Sequence, residues 1–300
     1  MPKAHGMSHL AENSDEDSRP AGPTALRILV GAQLRRLREA RGITREAAGQ
    51  AIRGSHSKIS RLELGRSGFK LRDVIDLLTL YGAAEDERSA VLLLAEQANA
   101  PGWWQSYRDV VPDWFEAYIG LEQGAALIRT YEVQLVPGLL QTEDYARAVI
   151  TQGSTSDSSE QIERRVEVRM RRQRILTSST PRRLWVVMDE AALHRQVGGS
   201  ALMRAQLEHL QRMAELPHIT LQVLPFLAGG HVGDIGPITI LRFAEPELDD
   251  VVYLEQLASA QYFSRASEVP PYQHLLNDLG LRAHPAPATA AILRRIIARL

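Results

Sequence analysis

The sequence predicts an α+β protein in two parts, an all-α N-terminal unit and a larger α+β unit with a small mixed sheet. Apolar residues recur at helical spacing through residues 25–98, whereas from Arg183 onward short runs alternate with period two. Residues 25–72 hold twelve Lys/Arg against three Asp/Glu, about +9, although the whole chain carries a net charge of −1. The chain has 300 residues, more than one small module on a prior of about 100–200 residues per domain, so two folded units are expected. Their bounds read as 25–98 and 99–300, behind a disordered tail over 1–24.

Composition excludes several classes. Hydrophobic content of 44% is enough for real cores. No cysteine is present, which rules out disulfide frameworks and cysteine-based zinc fingers and fits a reducing interior. No run approaches the ~18 consecutive apolar residues of a membrane span, and the N-terminus lacks the apolar core of a signal peptide. A cytoplasmic, membrane-free protein is expected.

In order, the tail carries the acidic run Glu12–Asp17 and too few apolar anchors to order itself. A first helix places Leu26, Val30, Leu34 and Leu37 on one face and ends at Gly42. The stretch TREAAGQAIRGSHSKISRLELGR, residues 44–66, then reads as two short helices joined by a tight turn. Thr44 and Ser55 are N-caps, and Ala48, Ile52, Ile59 and Leu62 return to the core. Gly49 lies where the second helix crosses closest.

The second of these helices, about residues 55–64, turns His56, Ser57, Lys58, Ser60 and Arg61 outward. Arg and Lys pair with guanine edges and Ser donates or accepts, so this face suits a major groove. Arg45 is placed for a phosphate, and Ser55 and Arg66 complete the expected DNA-binding set of Arg45, Ser55, His56, Ser57, Lys58, Arg61 and Arg66. The plainer alternative is a helical hairpin with a solvated polar face. Concentrated positive charge in a near-neutral chain favours the anionic polymer, double-stranded DNA.

LRRLREARGIT, REAAGQAI and SHSKISRLELGR resemble the Xre/Cro family of helix-turn-helix regulators over about residues 26–82. Arg45 stands where such families have Gln, and Arg53 where they have Gly. The glycine follows one place later, at Gly54, a departure that bears on the turn.

Further along, Leu71, Val74, Ile75, Leu78 and Tyr81 give a fourth helix closed by Gly82. A fifth, about Glu85–Ala98, carries Val91–Leu94 in sequence, more apolar surface than one small core takes. Trp103, Trp104, Tyr107, Trp114, Phe115 and Tyr118 have few bases among them and read as core and interface packing. This segment and Val91–Leu94 offer surface for a homodimer.

Asp113 caps a helix expected to reach Thr130, followed by an extended segment over Val133–Leu140 and a short helix capped by Thr142. About Glu160–Leu176, a helix with six arginines reads either as a second nucleic-acid surface or as a solvated helix laced by Glu160–Arg164 and Glu167–Arg171 pairs. Four strands are expected, at Leu184–Met188, Ile219–Leu224, Pro237–Phe243 and Val251–Glu255, with a helix from Ser200 crossing between the first two. Two helices, about Pro271–Leu281 and Ala288–Leu300, finish the chain.

No phosphate-binding GxxxxGK[ST] loop, HExxH or GxSxG is present, and the nine histidines show no metal-ligand spacing. Neither catalysis, a metal nor a cofactor is expected. Glu190 at a strand end and His231 in a glycine-rich loop form a candidate ligand or partner site. An acid–base pair, a polar pocket rim, or a strand cap beside a loop histidine each account for them.

RTYEVQLVPGLLQTEDYARAVI, MDEAALHRQVGGS and HVGDIGPITILRF resemble the large C-terminal domain of WhiJ-like actinomycete regulators. That resemblance implies a transcription regulator in developmental control, working with a small BldB-like partner protein. The rival class is an autoregulated enzyme or toxin-like effector whose C-terminal domain carries the activity.

Overall fold

The computed structural model describes residues 22–154, 156–228, 236–246 and 248–300. Five helices open the chain. α1 (Pro23–Ala40) has proline in its first turn, and Leu26, Leu29, Val30, Leu34 and Leu37 form its buried stripe. It starts ahead of the expected Leu26, so residues 23–24 of the expected tail are helical; the tail over 1–21 lies outside the described residues.

α2 (Arg45–Ala51), α3 (His56–Glu63), α4 (Leu71–Tyr81) and α5 (Glu85–Ala98) follow at the expected places. Ile59, Leu62, Val74, Leu78 and Tyr81 meet Leu34 and Ala48 in their common core. In α5 the buried residues are Val91, Ala95 and Ala98, a regular helical stripe; Leu93 is 56% exposed. Of the Val91–Leu94 run only Val91 is buried, with Leu92 and Leu94 half-buried. Of the aromatic segment, Trp103, Trp104 and Tyr107 are buried, edge to face in a 3-10 turn, whereas Trp114 and Phe115 are half-buried.

The first departure from the expected elements comes next. α6 (Asp113–Gly124) ends six residues short of Thr130, and Leu127–Glu132 is a strand, β1. Its side chains alternate, with Ile128, Thr130 and Glu132 on one face and Arg129 and Tyr131 on the other. After a 3-10 turn at Gly138–Leu140 come α7 (Glu143–Gly153), capped by Thr142, and α8 (Ser159–Arg172), opened by a Ser158–Gln161 capping box. β2 (Arg183–Asp189), α9 (Glu190–His194), α10 (Ser200–Ala214) and β3 (Ile219–Leu224) form the predicted crossover. β4 (Ile238–Arg242), β5 (Val251–Glu255), β6 (Ala260–Phe263), α11 (Val269–Arg282) and α12 (Thr289–Ile297) complete the chain.

The sheet has six strands rather than four, in the order β3-β2-β1-β4-β5-β6. β1, β2 and β3 run parallel; β4, β5 and β6 continue antiparallel from the other side of β1. α11 packs Leu276 and Leu279 on the face of Tyr131, Val187, Ile240 and Val252. α6, α10 and α12 lie on the face of Ile128, Val186, Leu221 and Leu241.

The arginines of α8 pair across elements instead of along the helix. Arg164 meets Asp109 at 2.8 Å, Arg165 meets Asp157 at 3.1 Å, and Arg172 is buried against Glu122. Arg171 lies over the Trp103 ring.

The apolar core is continuous across the expected 98/99 boundary, because α1 packs on α6. Their backbones are very close: a Cβ on Gly120 would fall 2.0 Å from Thr24 Oγ1, and one on Gly124 2.5 Å from Ala25 Cβ. Only glycine fits at these two positions without moving α1.

Candidate nucleic-acid interface

α2 and α3 are held by the residues the sequence indicated. Thr44 Oγ1 accepts from Ala47 N at 3.2 Å and Ser55 Oγ from Lys58 N at 3.2 Å, each satisfying one otherwise unpaired amide of a first helical turn. The turn between them does not move to Gly54. Arg53 itself takes the left-handed conformation, φ 52°, the only non-glycine among the described residues to do so. Gly54 stays outside that region, so the turn is kept with a side chain where glycine is relaxed.

Of the expected DNA-binding residues, Ser55, His56, Ser57, Arg61 and Arg66 are exposed. Lys58 and Arg45 differ. Lys58 Nζ is half-buried against Asp73 of α4. Arg45 donates Nε to Glu63 at 2.9 Å, and Glu63, almost wholly buried, also takes Arg38 from α1. Glu63 thus joins three helices, and its hydrogen bond raises the Arg38 pKa above the ordinary arginine value. This carboxylate was not among the expected residues. The sign that could have revealed it is an acid in a strongly basic segment, one residue past the buried Leu62.

At the carboxyl end of the sheet, Asp189 caps α9 by accepting from Ala191 N at 2.8 Å. Glu190 takes Phe226 N at 3.0 Å and lies 3.5 Å from His194, so it ties α9 to the end of β3. Its expected companion, His231, lies outside the described residues.

Residues 115–295, more than half of the chain, match the family model described as domain of unknown function (DUF5753). The chain belongs to the DUF5753 family. Residues 29–91 match a helix-turn-helix domain, the type of domain found in DNA-binding regulators. No curated protein and no solved structure matches. Among the described residues no helix is long and apolar enough to cross a membrane.

Within the DUF5753 part, a cavity of about 540 Å³ opens where β1 parts β2 from β4. Its lining runs along the face of the sheet, from Ile128 and Leu184 near the strand starts to Glu132 and Glu255 at their ends. One wall is the Glu122–Arg172 pair, two hydrogen bonds of 2.8 Å each, with the guanidinium over the rings of Phe115 and Tyr118. Burial alone would lower the Arg172 pKa; the Glu122 carboxylate more than offsets it and leaves it raised.

Across the floor run Thr130, Thr239 and Tyr253 in register, with Thr130 Oγ1 3.1 Å from Thr239 Oγ1. Beyond them stand Glu132 and Glu255. Burial pushes the Glu132 carboxyl up, the Thr130 hydroxyl draws it down, the Glu255 carboxylate raises it and the Arg172 charge lowers it, and the balance lies at about 8. None of these cavity residues was foreseen, because a helix expected to run to Thr130 erases the face that Thr130 and Glu132 share.

Proposed function

We propose that the protein is a sequence-specific, duplex-DNA-binding transcriptional regulator of the Xre type, WhiJ-like in its second domain. α3 enters the major groove, Ser57 and Arg61 lie nearest the bases, and Ser55, His56 and Arg66 sit at its rim. Arg45 and Lys58 reach phosphate from the positions in which Glu63 and Asp73 hold them. The observation that carries this reading is the exposed polar face of a capped α3 in a segment of about +9 charge.

Two copies read two half-sites about one helical turn apart, since one recognition helix covers only a few base pairs. The second domain acts by binding, not turnover, and takes the signal from a small BldB-like protein or a ligand.

The test is titration of the full chain with operator fragments selected from genomic DNA, across salt. Affinity falls steeply as salt rises, and Arg61→Ala costs about 1–3 kcal/mol at its base pair. Salt-insensitive binding, or an Arg61→Ala protein with unchanged sequence preference, overturns it. Light scattering on the protein–operator complex checks the two-copy arrangement.

A further inference from the structure

The cavity of the second domain has charges left over. The Glu122–Arg172 pair closes on itself, leaving Glu132, Glu255 and Arg169 around the same space. Among the described residues, Glu132 takes only the Thr130 hydroxyl, at 3.2 Å, and Glu255 only that of Tyr253, at 2.8 Å. Arg169 donates to Gln141 at 2.9 Å, and burial with the nearby Arg172 charge lowers its pKa to about 10. Among the described residues neither carboxyl makes an ion pair; the Arg172 charge acts on both, and the Arg169 charge on Glu255, from beyond hydrogen-bond reach.

Their placement follows from the register. Thr130 pairs with Thr239 and Thr239 with Tyr253, so Glu132 and Glu255 stand two residues further along β1 and β5 on the same face. Pro237, just before β4, lies between them. Two strand spacings separate their backbones, about 10 Å, which lets both long side chains converge on one ion. The rest of the lining is largely apolar, including Ile128, Leu135 and Leu184, and the volume lies within the ~300–1,000 Å³ of small-molecule sites.

We propose that this cavity binds a small organic amine, its ammonium held between Glu132 and Glu255 and its apolar body against Leu135, Leu184 and Tyr253. The ammonium stabilises the ionised form of Glu132 beside Glu255 and offers three donors to acceptors that have one hydroxyl each. Arg169 stands beside them and takes a carboxylate where the amine carries one.

The same cavity reaches the DNA-binding part through one helix. α6 presents Phe115, Tyr118 and Glu122 to the cavity and, about half a turn around, Gly120 and Gly124 to α1. With only the short Thr24 and Ala25 side chains of α1 against the bare backbone of α6 at Gly120 and Gly124, a displacement of α6 is passed to α1, against which α3 packs. The amine is therefore an effector of operator binding; this role rests on the regulator reading, whereas the binding site does not.

The experiment uses the full chain. Propylamine, hexylamine, phenylethylamine and tyramine are each titrated calorimetrically beside the alcohol and the carboxylate of the same shape. At least one amine binds and its alcohol does not; Glu132→Gln and Glu255→Gln each weaken it by on the order of tenfold or more, and Glu208→Gln, exposed on α10, leaves it unchanged. Glutamine at 132 keeps the shape of the protonated carboxyl, and circular dichroism of both variants confirms folding. The site is overturned if no amine binds, if the plain carboxylates bind as well as the amines, or if both folded variants keep full affinity. Operator titration with and without the bound amine reads the effector role: unchanged operator affinity overturns that role. If amines bind but no DNA does, the regulator reading fails and the site stands.

Discussion

Arg38–Glu63 in the first half of the molecule and Arg172–Glu122 in the second are both buried arginine–glutamate pairs, and the two are built differently. Arg38–Glu63 is closed: Glu63 also takes Arg45, and Arg38 also donates to the Ile43 carbonyl at 2.8 Å. Arg172–Glu122 stands at the wall of a cavity where, among the described residues, Glu132 and Glu255 make no ion pair and feel the Arg172 charge only at a distance. A buried pair with every neighbouring charge committed is a joint between helices. A similar pair beside uncommitted carboxylates marks a place where something else completes the charge balance.

Stability measurements can break this comparison. Removing Glu63 takes the buried partner from Arg38, which keeps only the half-exposed Glu39 and the Ile43 carbonyl, and frees Arg45, so Glu63→Ala costs about 3–5 kcal/mol and abolishes operator binding. Glu122→Ala takes the partner from one arginine instead of two, so it costs less than Glu63→Ala, toward the lower end of the same ~3–5 kcal/mol range. The four tryptophans all lie in the second part, so urea unfolding by tryptophan fluorescence follows that part and far-ultraviolet dichroism the whole. Equal losses for the two variants would remove the distinction.

A pH series sharpens it. Glu132 titrates near 8 in the folded chain against an ordinary 4.5, so between those values the folded protein binds more protons than the unfolded one. That contribution lowers stability as pH rises from about 5 to 8. Its size is about 2 kcal/mol, below the full shift at ~1.4 kcal/mol per unit because the cavity is open to water. Glu132→Gln flattens this part of the profile and is more stable than the parent at pH 8 but not at pH 5, as melting temperatures would show. A variant that keeps the parent's pH slope would place the titration elsewhere.

The smallest effect belongs to the helix-turn-helix turn. Arg53→Gly relieves a side chain held at φ 52° and adds up to about 1 kcal/mol, less what glycine returns to the unfolded chain. Operator affinity then changes only through lost charge, so its salt slope falls by about one phosphate contact if Arg53 touches the backbone of DNA. Destabilisation would mean that the arginine makes a compensating contact in the turn.

By itself the sequence determined the helix-turn-helix almost completely. Its caps, its buried positions and its charge are local quantities: Thr44, Ser55, Ile59 and Leu62 act within one or two turns of where they stand. The crossover from Leu184 to Leu224 was legible for the same reason, since apolar runs of the right length bracket an amphipathic helix.

Only the tertiary structure decided the rest. β1 carries Arg129, Thr130 and Glu132 in a central strand, where polar groups survive because Asn277, Thr239 and a cavity meet them from distant parts of the chain. β6 is four residues long and has no pattern apart from its partner β5. The pairs Arg38–Glu63 and Arg172–Glu122 span 25 and 50 residues, and nothing local marks which arginine of a basic helix turns inward. Period and capping are written residue by residue, whereas the desolvation that makes a charge need a partner exists only once the chain has closed over it.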